Sequence, residues 1–241
     1  MSSHPELEPF LDDGLITGVR HALKSGKEAD VYLCDAGPST GRDLLAAKVY
    51  RSRHHRAFQD DSAYRAGQVI TKRRVRVAVE KKTRFGRQVD QAMWVDRERE
   101  ALATLHAAGA DVPQPFGGTE SAILMAYVGD EREPAPQLRH VDLDRREVRE
   151  LFDRVVWNLE LMLTRNLVHA DLSPYNILWW EGGITIIDFP QAIDPRRNPN
   201  APAMLQRDVQ NVCAFFARFG VRSDPDALAH GLWMSFLFAD L

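Results

Sequence analysis

Asp171 and Asn176 stand five positions apart in the run LVHADLSPYNILWWEGGITIIDFPQA, residues 167–192, and Asp188 follows near its end. A carboxylate, a carboxamide and a second carboxylate form a defined chemical set. One acid can orient a hydroxyl nucleophile and take its proton, while the amide oxygen and the other acid hold a hard divalent cation on phosphate groups. That set suits phosphoryl transfer from a nucleoside triphosphate. Each residue alone has a plainer reading, because Asp and Asn also cap loops and form turns. The plainer reading leaves the setting unexplained: an apolar helical pattern precedes the three groups, and a strand, a turn and a strand bring them to the mouth of one hairpin.

Upstream, Lys48 lies in Leu44-Leu45-Ala46-Ala47-Lys48-Val49-Tyr50, a strand pattern whose other members are mostly apolar. A lysine there needs an anion, either a phosphate or a carboxylate, since a lone buried charge is costly. Glu98 is its expected partner because it shares a helical stripe with Trp94, Leu102 and Leu105. Glu100, in the same DRERE run, is the competing choice, and Glu98 itself could be a solvent-facing member of that run. The turn Lys24-Ser25-Gly26-Lys27-Glu28 lies between two expected strands and offers backbone N–H groups and the Ser25 hydroxyl to phosphates. It lacks the GxGxxG spacing, and an ordinary hairpin turn has much the same sequence.

Two amphipathic helices position these groups. One is expected over residues 92–108, stopping at Gly109, and the other over 144–165, with Asn166 available as a left-handed C-terminal residue. Strands are expected at 31–33, 44–50, 122–127, 177–180 and 184–188, the last two joined by Glu181-Gly182-Gly183. Residues 195–202 read as a Pro-rich loop, followed by helices over 203–218 and 226–238. Periodicity breaks at GDEREPAP, so residues 1–127 form an expected strand-rich lobe and 128–241 a helix-rich one.

The 241 residues, 44% apolar and 27% charged, fit one two-lobed domain or two small ones. Cys34 and Cys213 lack partners at metal-ligand spacing, which argues against a zinc module or a disulfide scaffold. The N-terminus lacks a signal-peptide pattern and no apolar run reaches ~18 residues, so a cytoplasmic protein without membrane contact is expected. The net charge of -3 hides an asymmetry: residues 51–87 hold 12 Lys and Arg against three acids. Within this block, TKRRVRVAVEKKTRFGR (71–87) fits a β-ribbon or a solvated flexible loop, and either could meet a polyanion.

With these residues in view, the chain resembles the RIO family of atypical protein kinases, of the first RIO type, over residues 24–221. HxDxxxxN and the later Asp match protein-kinase catalytic and metal segments. SGKEADVY (25–32) is similar to the family's shortened phosphate loop, AAKVYRSR (46–53) to its lysine strand, FQDDSAYRAG (58–67) to its flexible loop, MAYVGDEREPAPQL (125–138) to its hinge and IDFPQA (187–192) to its metal segment. The resemblance implies an α+β, two-lobed protein-kinase-like fold with a strand-rich N-lobe and a reduced C-lobe, without an activation loop or substrate-binding helices. The 53 residues after Asp188 agree with that reduction. A flexible basic loop over 51–91 would precede the helix carrying Glu98.

The implied roles are Asp171 as catalytic base, Lys48 on the phosphates, Glu98 as its partner, and Asn176 with Asp188 on Mg²⁺, with Mn²⁺ as an alternative. Ser25, Gly26 and Lys27 would cover the phosphates, Met125, Ala126 and Val128 would hold the adenine, and Val31 and Ile187 would complete the ATP site. Serine autophosphorylation follows from the resemblance, as does a switch in which Asp188 can become a phospho-aspartate. The chain departs from the family at Ala170, Pro174 and Phe189-Pro190, and Pro190 removes a backbone donor near the metal segment. A winged-helix domain before the core is not expected.

Two other functions fit the same residues. A small-molecule phosphotransferase similar to aminoglycoside kinases shares the catalytic-loop logic but builds its substrate pocket from a larger C-terminal lobe. A non-catalytic nucleotide-sensing module would instead use residues 51–87 on ribosomal particles or rRNA.

Overall fold

The structure, a computed structural model, describes residues 4–51, 83–144 and 147–238, with the backbone alone over 84–91. A five-stranded antiparallel sheet is built from β1 (Ile16–Ser25), β2 (Ala29–Ala36), β3 (Leu44–Tyr50), β4 (Pro115–Gly118) and β5 (Ala122–Ala126), in the order β1-β2-β3-β5-β4. Alternation in β3 sorts its residues between two cores: Ala46 and Tyr50 join the inner one, while Leu45 and Ala47 face the outer one. Lys48 shares the inner face with Ala46, two residues away. Helix α1 (Glu8–Asp12) closes the outer face with Leu7 and Phe10, and was not anticipated from the sequence.

Helix α2 (Arg84–Ala107) packs on the inner face through Val95, Leu102 and Leu105, and also buries Trp94 and Glu98. It begins well before the expected Ala92, so residues 84–91 are helical rather than part of the basic loop. The stripe that carries Glu98 starts at Trp94; Phe85, Val89, Ala92 and Met93 recur at helical spacing before it but in another phase, so they do not extend that stripe. The rest of the basic block, residues 52–82, lies outside the described residues, as does the FQDDSAYRAG segment.

The remaining helices are α3 (Val148–Thr164), α4 (Ala201–Ala217) and α5 (Pro225–Phe238), with the hairpin β6 (Ile177–Trp180) and β7 (Gly183–Ile186) beside them. α3 buries Leu151, Phe152, Val155, Leu159 and Met162 at three- and four-residue spacing. Its end is fixed by Asn166 at φ 56, with Asn166 N–H donating to Leu163 O and Leu167 N–H to Met162 O. α2 ends the same way at Gly109, φ 85. The last hairpin strand is shorter than expected because Ile187 N–H donates to Asn176 O and Asp188 turns to φ 74. Among the described residues no helix is long and apolar enough to cross a membrane.

Candidate active site

Between the sheet and the helical part lies a cavity of about 470 Å³. Its walls combine apolar Val31, Ala46, Met125, Leu178 and Ile187 with polar Lys48, Glu98, Asn176 and Asp188. Gly26, Lys27, Ala126 and Val128 also line it. Its rim beyond Val128 is a tight crossing, since a Cβ on Gly129 (φ 137) would stand 2.5 Å from Glu133 O. Ser25 does not line the cavity: its hydroxyl donates to Asp30 Oδ1 at 2.7 Å and accepts from Arg51 Nη2 at 2.6 Å. The expected phosphate contact by that hydroxyl is therefore replaced by a strut that ties the β1–β2 turn to the end of β3. Gly26 stays in the turn, with its N–H on Ala29 O at 2.9 Å.

Lys48 Nζ donates to Glu98 Oε1 at 2.7 Å and Oε2 at 2.9 Å, and to Asp188 Oδ1 at 2.7 Å. Glu98 rather than Glu100 meets the lysine, as the helical phase requires, and Glu100 is exposed. Glu98 also accepts Phe189 N–H at 3.1 Å, which fastens α2 to the segment that carries Asp188. One ammonium here serves two carboxylates, so the trio carries a net negative charge. Burial alone would lower the Lys48 pKa, but Asp188 and Glu98 hold it above an ordinary lysine. Burial raises Glu98, whose side chain is 1% exposed, despite the lysine. Burial would also raise Asp188, yet Lys48 keeps it below the usual carboxylate range.

Asp171 is not among the residues that line the cavity; it stands exposed on the loop beside Asn176, yet the partial burial of its carboxyl, then the Asp188 charge, raises its pKa, while Arg207 and Asn176 oppose the rise. Asn176 Nδ2 donates to Asp171 O at 2.9 Å and points toward Asp171 Oδ2 at 3.5 Å. That leaves Asn176 Oδ1 as an acceptor beside the cavity. With the Asp188 carboxylate, 40% exposed, the donor set is two oxygens in a negatively charged setting, which fits Mg²⁺.

Sequence reasoning missed the supports of this loop. Asp208, fully buried on α4, accepts Ala170 N–H at 2.7 Å and Leu172 N–H at 2.8 Å. Burial pushes its pKa up to about 7 in spite of those two donors. His169, also buried, is pulled down to about 4 by burial, against its contact with Ile187 O. Its Nε2 faces Ile187 O at 3.2 Å and its Nδ1 accepts Asp171 N–H at 3.3 Å, a pair of contacts that one neutral tautomer satisfies. A signal for Asp208 existed in the sequence: its neighbours at three- and four-residue spacing, Leu205 and Val212, are apolar, so it sits on the buried stripe of its helix.

A sheet with one helix, a hinge, a nucleotide-sized cleft and a hairpin presenting two acids define a protein-kinase-like fold. Solved structures agree: the chain is similar to the Rio2 kinase of Chaetomium thermophilum in its ADP/Mg²⁺-phosphoaspartate complex, with a TM-score of 0.68 at 18% identity, over 97% of this chain and 69% of that one. The RIO domain model matches residues 30–228, and the chain belongs to that family. Among curated relatives it is 35% identical to the RIO-type serine/threonine-protein kinase Rio1 of Thermoplasma acidophilum over 147 residues, 61% of this chain and 76% of the relative. It is 30% identical to human serine/threonine-protein kinase RIO1 over 213 residues, 88% of this chain but 35% of that protein. The match thus spans about a third of the human relative's length.

Proposed function

We propose that this chain is an ATP-dependent serine/threonine protein kinase or ATPase of the RIO type that works with Mg²⁺, or with Mn²⁺ in its place. The observation that carries the reading is the Lys48 ammonium held at 2.7 Å from both Glu98 and Asp188 in the wall of a cleft that is otherwise lined largely by apolar side chains. An adenine suits the apolar walls, between Val31 and Ile187 and against Met125, Ala126 and Val128. Lys48 would meet the phosphates, and its two bonds to Glu98 would keep it aimed there with Asp188 engaged by a metal ion. Asn176 Oδ1 and Asp188 would hold the ion, which would supply positive charge to the phosphate oxygens. Asp171 orients the acceptor hydroxyl and takes its proton; burial, which raises its pKa, makes it a better base. The acceptor is a serine or threonine of a protein or of the chain itself.

A small-molecule phosphotransferase gains no support from the family match, which is to the RIO domain. For a macromolecular partner we add ribosomal particles or rRNA met through residues 51–87, on the strength of the local excess of basic residues.

Mg²⁺-dependent ATP turnover or autophosphorylation tests the reading. Asp171→Ala and Asp188→Ala should each lower it by about 10³-fold or more while thermal unfolding stays cooperative. Unchanged turnover in both variants would refute the assignment.

A further inference from the structure

Every backbone polar atom from Ala170 to Leu172 meets a side chain. Asp171 N–H goes to His169 Nδ1 and Asp171 O accepts from Asn176, while Asp208 takes the N–H groups of Ala170 and Leu172. The two flanking carbonyls also go to α4: Arg207 Nη2 donates to Ala170 O at 2.6 Å and Asn211 Nδ2 to Leu172 O at 2.9 Å. Residues 207 and 211 are one turn apart on the same helix face, so one rigid element grips the peptide groups on both sides of Asp171.

The grip has a conformational burden to carry. Ala170 sits at φ 67, a left-handed geometry that an L-residue with a Cβ adopts at a cost of roughly 1–2 kcal/mol and keeps only where its surroundings impose it. Turning either carbonyl away would swing the Cα–Cβ bond of Asp171 and move its carboxylate relative to the cleft.

We propose that Arg207 and Asn211 are positioning residues for phosphoryl transfer: by holding the Ala170 and Leu172 carbonyls they fix the direction in which Asp171 faces. The inference rests on the function proposed above. Neither side chain lines the nucleotide cavity, and both residues are exposed, so replacing them opens no void in the core and leaves the ATP contacts in place.

The variants are Arg207→Met and Asn211→Leu, which keep the bulk and remove the donor, and Arg207→Lys, which keeps a donor. Steady-state kinetics of ATP turnover are measured beside thermal unfolding, with Asp171→Asn as the inactive reference. A misplaced base lowers kcat by roughly 10- to 100-fold in the Met and Leu variants, with KM for ATP and the unfolding midpoint unchanged, and Arg207→Lys recovers most of the loss. Wild-type kcat in the Met and Leu variants, with Asp171→Asn inactive, overturns this inference alone. A loss of kcat that tracks a lowered unfolding midpoint, or that Arg207→Lys does not relieve, also overturns it, since that marks a scaffold role. An unsubstituted chain without turnover overturns both this inference and the function beneath it.

Discussion

Lys48, Glu98 and Asp188 show how much of a site three side chains can hold by charge alone. The trio carries one negative charge in excess, and that excess is what a divalent cation would neutralise. His169 behind them is the opposite case, a group kept uncharged. The unfolded chain protonates this imidazole below about 6.5, and the folded protein resists until about 4. Stability from His169 is therefore complete above 6.5 and is lost as the pH falls toward 4, in total about 3 kcal/mol. Asp208 runs the other way, taking up a proton in the folded state from about pH 7 downward. Comparing unfolding free energies of the wild type and His169→Gln isolates the first effect. Between pH 7 and 4 the gap between the two proteins should shrink by about 3 kcal/mol, and a gap independent of pH would contradict the neutral buried imidazole. At this scale the sequence was legible where a polar residue broke an apolar period, as Lys48 and Glu98 do. It was illegible for Ser25, whose direction depends on Arg51, a residue 26 positions away that no local pattern links to it.

Among the elements, the two long helices that frame the cleft were readable because their ends carry explicit chemistry. Gly109 and Asn166 both take the left-handed turn that stops a helix. The start of α2 was missed although Thr83, an N-cap residue type, stands before it, because the apolar residues of its first turns, Phe85, Val89 and Ala92, run in a different phase from the stripe of Glu98. β4 was silent: Pro115-Phe116-Gly117-Gly118 is a poor strand former, and it pairs because β5 beside it is buried throughout. The β6–β7 hairpin was legible from its two glycines, and it contains one unfavourable choice. Glu181 sits at φ 48 and Gly182 at φ 81, the geometry of a two-residue turn that prefers Asn-Gly. Glu181→Asn should stabilise the protein by roughly 0.5–1 kcal/mol, seen as a higher urea midpoint with the slope unchanged. Because the turn lies beyond Asn176 and Asp188, turnover should stay the same; a lower midpoint would count against the assigned turn geometry.

At the level of the whole molecule, charge is unevenly distributed along the sequence. Residues 51–87 carry a local excess of nine positive charges, and the remainder of the chain is correspondingly acidic. Binding of the chain to ribosomal RNA should weaken by roughly tenfold or more between 50 and 200 mM salt, as followed by co-sedimentation with ribosomal subunits. Salt-independent association, or none at 50 mM, would remove RNA from the proposed partners. The two-core arrangement of the sheet was the part of the architecture least visible beforehand. Its outer core joins α1 to strands far along the chain; Leu7, Phe10 and Leu11 have helical spacing within ELEPFLDDG, but a local pattern does not say which distant strands they cover.

That outer core bears on where the chain can be cut. The family match begins at residue 30, past α1 and past the whole of β1. A fragment trimmed to the matched span would lose the edge strand of the sheet and the greasy cover over Leu45, Ala47, Ala122 and Leu124. Such a stripped strand edge and bare face invite one chain to adhere to another. The shortest well-behaved version of this protein is set by what lies on top of the sheet, and it includes residues that an alignment to the family leaves out.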